Sequence, residues 1–367
     1  MLASEHSTYR DAATGRLIHQ MTSAEAINHA TYFLQSSFTP GDKAMIFISN
    51  RSRAFQLYEI NPFPKGDIRQ LTFGAAIHAF SPAINPNGAS IFFVRGPGLW
   101  ELYRDTLEER LIVEFAGAQI GEPSLAAGGE WLVMAIKQGP VSGLAVGKAD
   151  GSQWHIIPFP RTVIHPQFHP TDPEWIEFSA DPAPRMHRVR RDGSGLECLY
   201  QHDNNEFLVH ETFLGKTGDL TYTVWPKSLR AMNWQTREHR TIAEFNAWHI
   251  TPNKDGSKIL CDTNHPDEGI FLVDVATGHR ELVCLSESSN EGSQWKQSRY
   301  ALAEDFAAAR SAAKSEGTLS WMEVTTDTVY GPQWTHPHPS FSSSESMVVF
   351  ASNRSGFPQV YVVELNS

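Results

Sequence analysis

The chain has 367 residues, 41% hydrophobic and 19% charged, a balance that suits a globular protein with a large core. Its formal net charge of −11 argues against a surface that binds nucleic acid through phosphates, yet leaves room for a local cationic site for an anionic ligand. Cys198, Cys261 and Cys284 are odd in number and match no zinc spacing, so a disulfide framework is not expected. The start, Met1-Leu2-Ala3-Ser4-Glu5-His6, has no basic or apolar run, and no stretch is long enough to span a bilayer. A cytoplasmic location without membrane attachment is the expectation.

In chain order, residues 11–20 read as an outermost strand. Apolar strands then begin near Ile46, Ile91, Leu132, Trp175, Leu220, Ile259 and Val349. Their spacing is roughly 40–45 residues, with a last step of about two repeats. Many follow turns such as Asn85-Pro86-Asn87-Gly88 or Asn253-Lys254-Asp255-Gly256. Two copies are explicit: Ile46-Phe47-Ile48-Ser49-Asn50-Arg51-Ser52 matches Val349-Phe350-Ala351-Ser352-Asn353-Arg354-Ser355, and Gln56-Leu57-Tyr58 matches Gln359-Val360-Tyr361. Such a repeat predicts an all-β, seven-bladed β-propeller, a single domain over residues 1–367. The N-terminal strand is expected to complete the last blade and so remove a free edge. Residues 286–332 are expected to form an insertion between blades six and seven, partly helical over 301–314. The alternative is a degenerate eighth blade using 319–324.

If the apolar anchors are second strands, ten or eleven residues back lies the opening of each innermost strand. Ser36, Ser81, Glu122, His165, His210, His249 and His338 stand there. Four of these seven are histidines, in a chain with 16, and this concentration points to a metal or catalytic site at one mouth of the channel. Ten residues forward, at third-strand openings, stand Gln56, Glu101, Arg185, Arg230 and Gln359. Arg185 is placed to offer a guanidinium to an anion; the alternative is a surface arginine near Arg188, Arg190 and Arg191. Gln333-Trp334-Thr335-His336-Pro337-His338 sets His336 beside His338 on one face of an extended segment stiffened by Pro337.

These residues resemble the oligogalacturonate lyase family of propeller enzymes. The family's Q-x-x-H-x-H metal motif matches Gln333, His336 and His338, and its further metal histidine matches His249. The resemblance implies that His210 is the Brønsted base and that Arg185 binds substrate; His165, on the same blade as Arg185, is a further substrate-binding candidate. It implies a divalent metal, manganese, where ligand type alone would also allow zinc, iron or nickel. The implied reaction is β-elimination on an acidic, uronate-containing oligosaccharide, giving a 4,5-unsaturated product. The alternatives are a lyase for another uronate and a non-catalytic binding or scaffold propeller. The 286–332 insertion looks longer than the family pattern, and is expected to cover the active mouth and limit substrate length. Oligomeric state stays open.

Overall fold

The computed structural model describes residues 1–203, 205–297 and 327–366, together with residues 304, 305, 308 and 311. Two N-terminal strands, β1 (Ser7–Arg10) and β2 (Leu17–Gln20), precede the first blade. That blade is β3 (Asn28–His29), β4 (Met45–Ser49), β5 (Gln56–Ile60) and β6 (Ile68–Gln70). The second is β7 (Ala83–Ile84), β8 (Ser90–Arg95), β9 (Gly98–Tyr103) and β10 (Glu109–Glu114). The third has an inner strand in two pieces, β11 (Ala118–Ile120) and β12 (Ser124–Leu125), then β13 (Trp131–Gln138), β14 (Val141–Lys148) and β15 (His155–Phe159). The fourth is β16 (Thr162–Phe168), β17 (Trp175–Asp181), β18 (Met186–Arg190) and β19 (Glu197–Cys198). The fifth is β20 (Leu208–Phe213), β21 (Leu220–Val224), β22 (Ser228–Met232) and β23 (His239–Ala243). The sixth is β24 (Ala247–Pro252), β25 (Lys258–Thr263), β26 (Ile270–Asp274) and β27 (Arg280–Cys284). The seventh contains β28 (Ser340–Phe341), β29 (Met347–Ser352) and β30 (Gln359–Glu364).

Each blade is an antiparallel sheet, and the seventh is completed by the N-terminus in the order β1-β2-β30-β29-β28. Ile18 pairs with Val363 and Gln20 with Tyr361, so the two ends of the chain close the ring. Short helices α1 (Ser293–Lys296) and α2 (Asp327–Tyr330) flank the excursion between blades six and seven. The helix expected over 301–314 and the strand alternative over 319–324 lie outside the described residues, apart from helical positions 304, 305, 308 and 311.

The second strands follow from composition. β4 reads Met-Ile-Phe-Ile-Ser, and all five residues are buried. Apolar and β-branched residues without alternation suit a strand covered on both faces. Neighbouring blades share these faces: Met21, Phe47, Tyr58, Val349 and Val362 form one cluster across the seam between the last blade and the first. Truncating a buried phenylalanine such as Phe47 to alanine is expected to cost about 3–5 kcal/mol. The Ser-Asn-Arg-Ser repeat is structural. The Tyr58 hydroxyl donates to Ser52 Oγ at 3.0 Å, and the Tyr361 hydroxyl donates to Ser355 Oγ at 3.2 Å. Arg51 lies over the Phe47 and Tyr58 rings at 5.4 and 5.3 Å. Each copy thus gives a buried tyrosine its polar partner.

Fixed stepping from the anchors misplaces some residues. Ser36 lies beyond β3, and the histidine on that inner strand is His29. Glu101 and Arg230 fall inside β9 and β22 rather than at their openings. The hairpin joining second and third strands differs in length between blades, so a constant offset slips. No disulfide forms among the described residues, and Cys261 and Cys284 are buried. No described helix is long and apolar enough to cross a membrane.

Candidate metal centre

The inner strands are irregular where they carry histidine. Pairing shifts register between Ile164 and Gln167, between Val209 and Thr212, and between Ala247 and Ile250. These are β-bulges, which leave an extra residue unpaired and re-aim its side chain. His165, His210 and His338 have φ of 52°, 58° and 44°. Such left-handed conformations cost about 1–2 kcal/mol for a residue with a Cβ, and strain of this kind gathers at functional sites.

His249, His336 and His338 are all buried, and one ring nitrogen from each lies within 4.8 Å of the others. The ring centroids of His249 and His338 are 4.0 Å apart. Nδ1–H of His249 donates to Asp262 Oδ2 at 2.7 Å, and its backbone N–H donates to Oδ1 at 2.7 Å. That carboxylate fixes the tautomer and leaves Nε2 as a lone pair. His336 Nε2–H donates to the Tyr330 carbonyl at 3.3 Å, leaving Nδ1 free. His336 Nδ1 and His338 Nε2 are buried with no hydrogen-bond partner. Burial pushes all three imidazoles down from 6.5, His336 to about 4, so they are neutral at pH 7. Neutral, unpartnered nitrogens converging in a dry site are costly unless a cation takes them. The donor set fits a divalent first-row metal. Gln333 precedes them in a one-turn 3-10 segment and is half-buried.

His210 stands beside this group, 4.5 Å from the His249 ring and edge-on to Trp248 at 4.7 Å. Burial, with further pressure from His249 and His165, holds its imidazole well below 6.5, and its Nδ1 has no partner. His165 follows at 6.5 Å, and its Nε2 shares a 2.9 Å hydrogen bond with the Tyr32 hydroxyl. Burial pushes His165 down to about 4 and Glu122 up to about 7. Arg185 is paired with Glu211 rather than left open: Nε–H donates to Oε1 at 2.7 Å and Nη2–H to Oε2 at 3.1 Å.

Several residues at this site carry no signal in the spacing. Phe33 is 1% exposed and stands among the imidazoles, its centroid 5.2 Å from His249, 5.4 Å from His210, 6.0 Å from His165 and 6.1 Å from His338. Its carbonyl accepts Thr251 Oγ–H at 3.1 Å, and Thr251 also donates to the Pro339 carbonyl at 2.8 Å. Asp262 and Glu211 were equally hidden. Glu211 directly follows His210, and that adjacency was the one available hint.

Known proteins are similar to this chain along nearly its whole length. Oligogalacturonide lyase of Pectobacterium atrosepticum is 21% identical over 392 residues, spanning 98% of this chain and 95% of the relative. Oligogalacturonate lyase of Dickeya dadantii is 21% identical over 406 residues, spanning 99% and 97%. The chain is similar to oligogalacturonate lyases. No protein-family model matches it. A solved oligogalacturonate lyase in complex with manganese superposes with a TM-score of 0.82 at 19% identity, covering 100% of this chain and 97% of that one. The oligogalacturonate lyase of Vibrio parahaemolyticus gives 0.81 at 20% identity, covering 99% and 97%. These likenesses establish the seven-bladed fold.

Proposed function

We propose that this protein is a metal-dependent lyase that cleaves oligogalacturonate by β-elimination. The observation that carries the reading is the juxtaposition of a neutral, unpartnered His210 with three metal-competent imidazoles. The names of the full-length relatives, and the manganese in a structural neighbour, support the substrate class and the metal.

The C5 proton of a uronate lies α to a carboxylate and is weakly acidic. Its removal needs that carboxylate's charge to be balanced as an enolate-like state develops. Arg185 is the cationic side chain assigned to this, and His165, its ring 6.5 Å from that of His210, is the further substrate-binding candidate. A divalent cation held by His249, Gln333, His336 and His338 would supply Lewis-acid stabilisation at the same carboxylate. His210 is neutral and so can accept the proton. The C5–H electron pair becomes the C4=C5 double bond. The C4–O bond breaks with its own pair, and the departing oxygen is protonated to a hydroxyl. Manganese is the expected cation, and an acidic oligosaccharide the expected partner.

The test is to incubate the protein with a panel of uronate oligomers and follow absorbance of the unsaturated product, with and without chelator. Product from galacturonate oligomers that chelator abolishes is the expected result. Product only from another uronate would reassign the substrate, and none from any would remove the lyase reading.

A further inference from the structure

The guanidinium of Arg185 has two forks, and the protein itself fills one. The side-on fork, Nε with Nη2, is spent on the two oxygens of Glu211 at 2.7 and 3.1 Å. Ser179 Oγ–H donates to Glu211 Oε2 at 2.8 Å, so the carboxylate is held from a second side. The Glu211 side chain is 0% exposed and that of Arg185 is 13% exposed. Nη1, the tip of the end-on fork, makes no hydrogen bond among the described residues. Guanidinium N–H groups have fixed directions in one plane, so holding one fork aims the other.

Glu211 is also the chain neighbour of His210, and both sit at the bulge of β20. Gln167 of the preceding blade braces this point. Its Nε2–H donates to the Glu211 carbonyl at 3.0 Å, and its Oε1 accepts the Thr212 hydroxyl at 2.7 Å. Glu177 lies nearby, also sealed. Burial and the Glu211 charge both raise its carboxyl, against the pull of Arg185. Burial alone would raise the Glu211 carboxyl, but Arg185 outweighs it and holds it down at about 2.

We propose that Glu211 is a positioning residue, which grips Arg185 side-on so that its end-on fork receives the carboxylate of the ring whose proton His210 removes. This rests on the lyase reading above. Pairing lowers the net charge offered to the substrate, and so gives up some affinity. In return the arginine is ordered before the substrate arrives, and the clamp and the base share one backbone segment. That favours the transition state over loose binding.

The experiment is steady-state kinetics of wild type, Glu211→Gln and Ser179→Ala, each on a galacturonate oligomer and on its methyl ester. Melting curves and metal content are measured alongside. Glutamine keeps the shape but turns one acceptor into an N–H donor facing other donors. Glu211→Gln is expected to lose roughly 100-fold in kcat/KM on the acid, as misaligned groups do, with metal content unchanged. On the ester, which brings no carboxylate to the fork, wild type and variant should be slow to a similar degree. A merely structural pair would lower melting temperature and depress both substrates by the same factor, and that result overturns the proposal, as does wild-type turnover on the acid. If Glu211→Gln does not fold, Ser179→Ala decides: about 5-fold loss on the acid alone supports it, and equal loss on both overturns it. If wild type yields no unsaturated product, the lyase reading fails first. Calorimetry with galacturonate then reads the fork alone: weaker binding in the variants supports the aiming role, and equal binding rejects it.

Discussion

His249 and Asp262 face each other within blade six with Nδ1 and Oδ2 2.7 Å apart, and both side chains are sealed from water. The carboxylate decides which nitrogen of His249 is available. Asp262→Asn should therefore weaken metal binding by about 10–100-fold, the usual effect of losing an outer partner of a ligand. Competition against a chelator of known affinity measures this, and unchanged affinity would show that Asp262 serves the fold alone.

The double variant His336→Ala, His338→Ala removes two of the three converging nitrogens. Elemental analysis of purified protein should find the divalent metal in wild type and none in the variant. Equal content in both would place the metal elsewhere.

His210→Ala should abolish most turnover while leaving substrate affinity near wild type, because it removes proton transfer and spares the Arg185 clamp. Arg185→Lys should also turn over poorly, since an ammonium cannot serve two carboxylates with two forks. Near-normal turnover in His210→Ala would eliminate it as the base.

His29 is not a candidate ligand and gives a pH prediction of its own. Burial pushes its imidazole from 6.5 down to about 4. Between these values the unfolded chain takes up a proton that the folded chain refuses, so stability falls as pH drops from 6.5 towards 4. Above 6.5 both states are neutral and the residue contributes nothing. His29→Gln should remove this term, so wild type should lose about 3 kcal/mol more than the variant across that window. Denaturant titrations at a series of pH values measure the difference. Parallel curves would contradict the assignment.

The repeat made the ring legible. Ile46, Ile91, Leu132, Trp175, Leu220, Ile259 and Val349 all lie on second strands, because those strands are buried on both faces and read as apolar runs. His165, His210, His249 and His338 were legible as a group because one blade offset brings them to one place. Phe33, Asp262 and Glu211 were not. Phe33 reaches the site from a loop after a two-residue strand, which no period governs. Asp262 and Glu211 act through partners fixed by bulged register, and a bulge shifts pairing without leaving a mark in the hydrophobic pattern.

One feature of the ring gives the cation a mechanical meaning. β27 ends at Cys284 and β28 begins only at Ser340, so successive blades are here joined by a far longer path than the hairpins elsewhere. The candidate ligands straddle this gap: His249 stands on one side, His336 and His338 on the other. A cation gripped by all three would be a rivet between blades six and seven, added to the apolar faces they already share. Its binding energy adds directly to the stability of the closed ring. Stripping the cation should thus do more than silence catalysis: it removes one clasp from the joint between blades six and seven, and the closed ring should melt at a lower temperature.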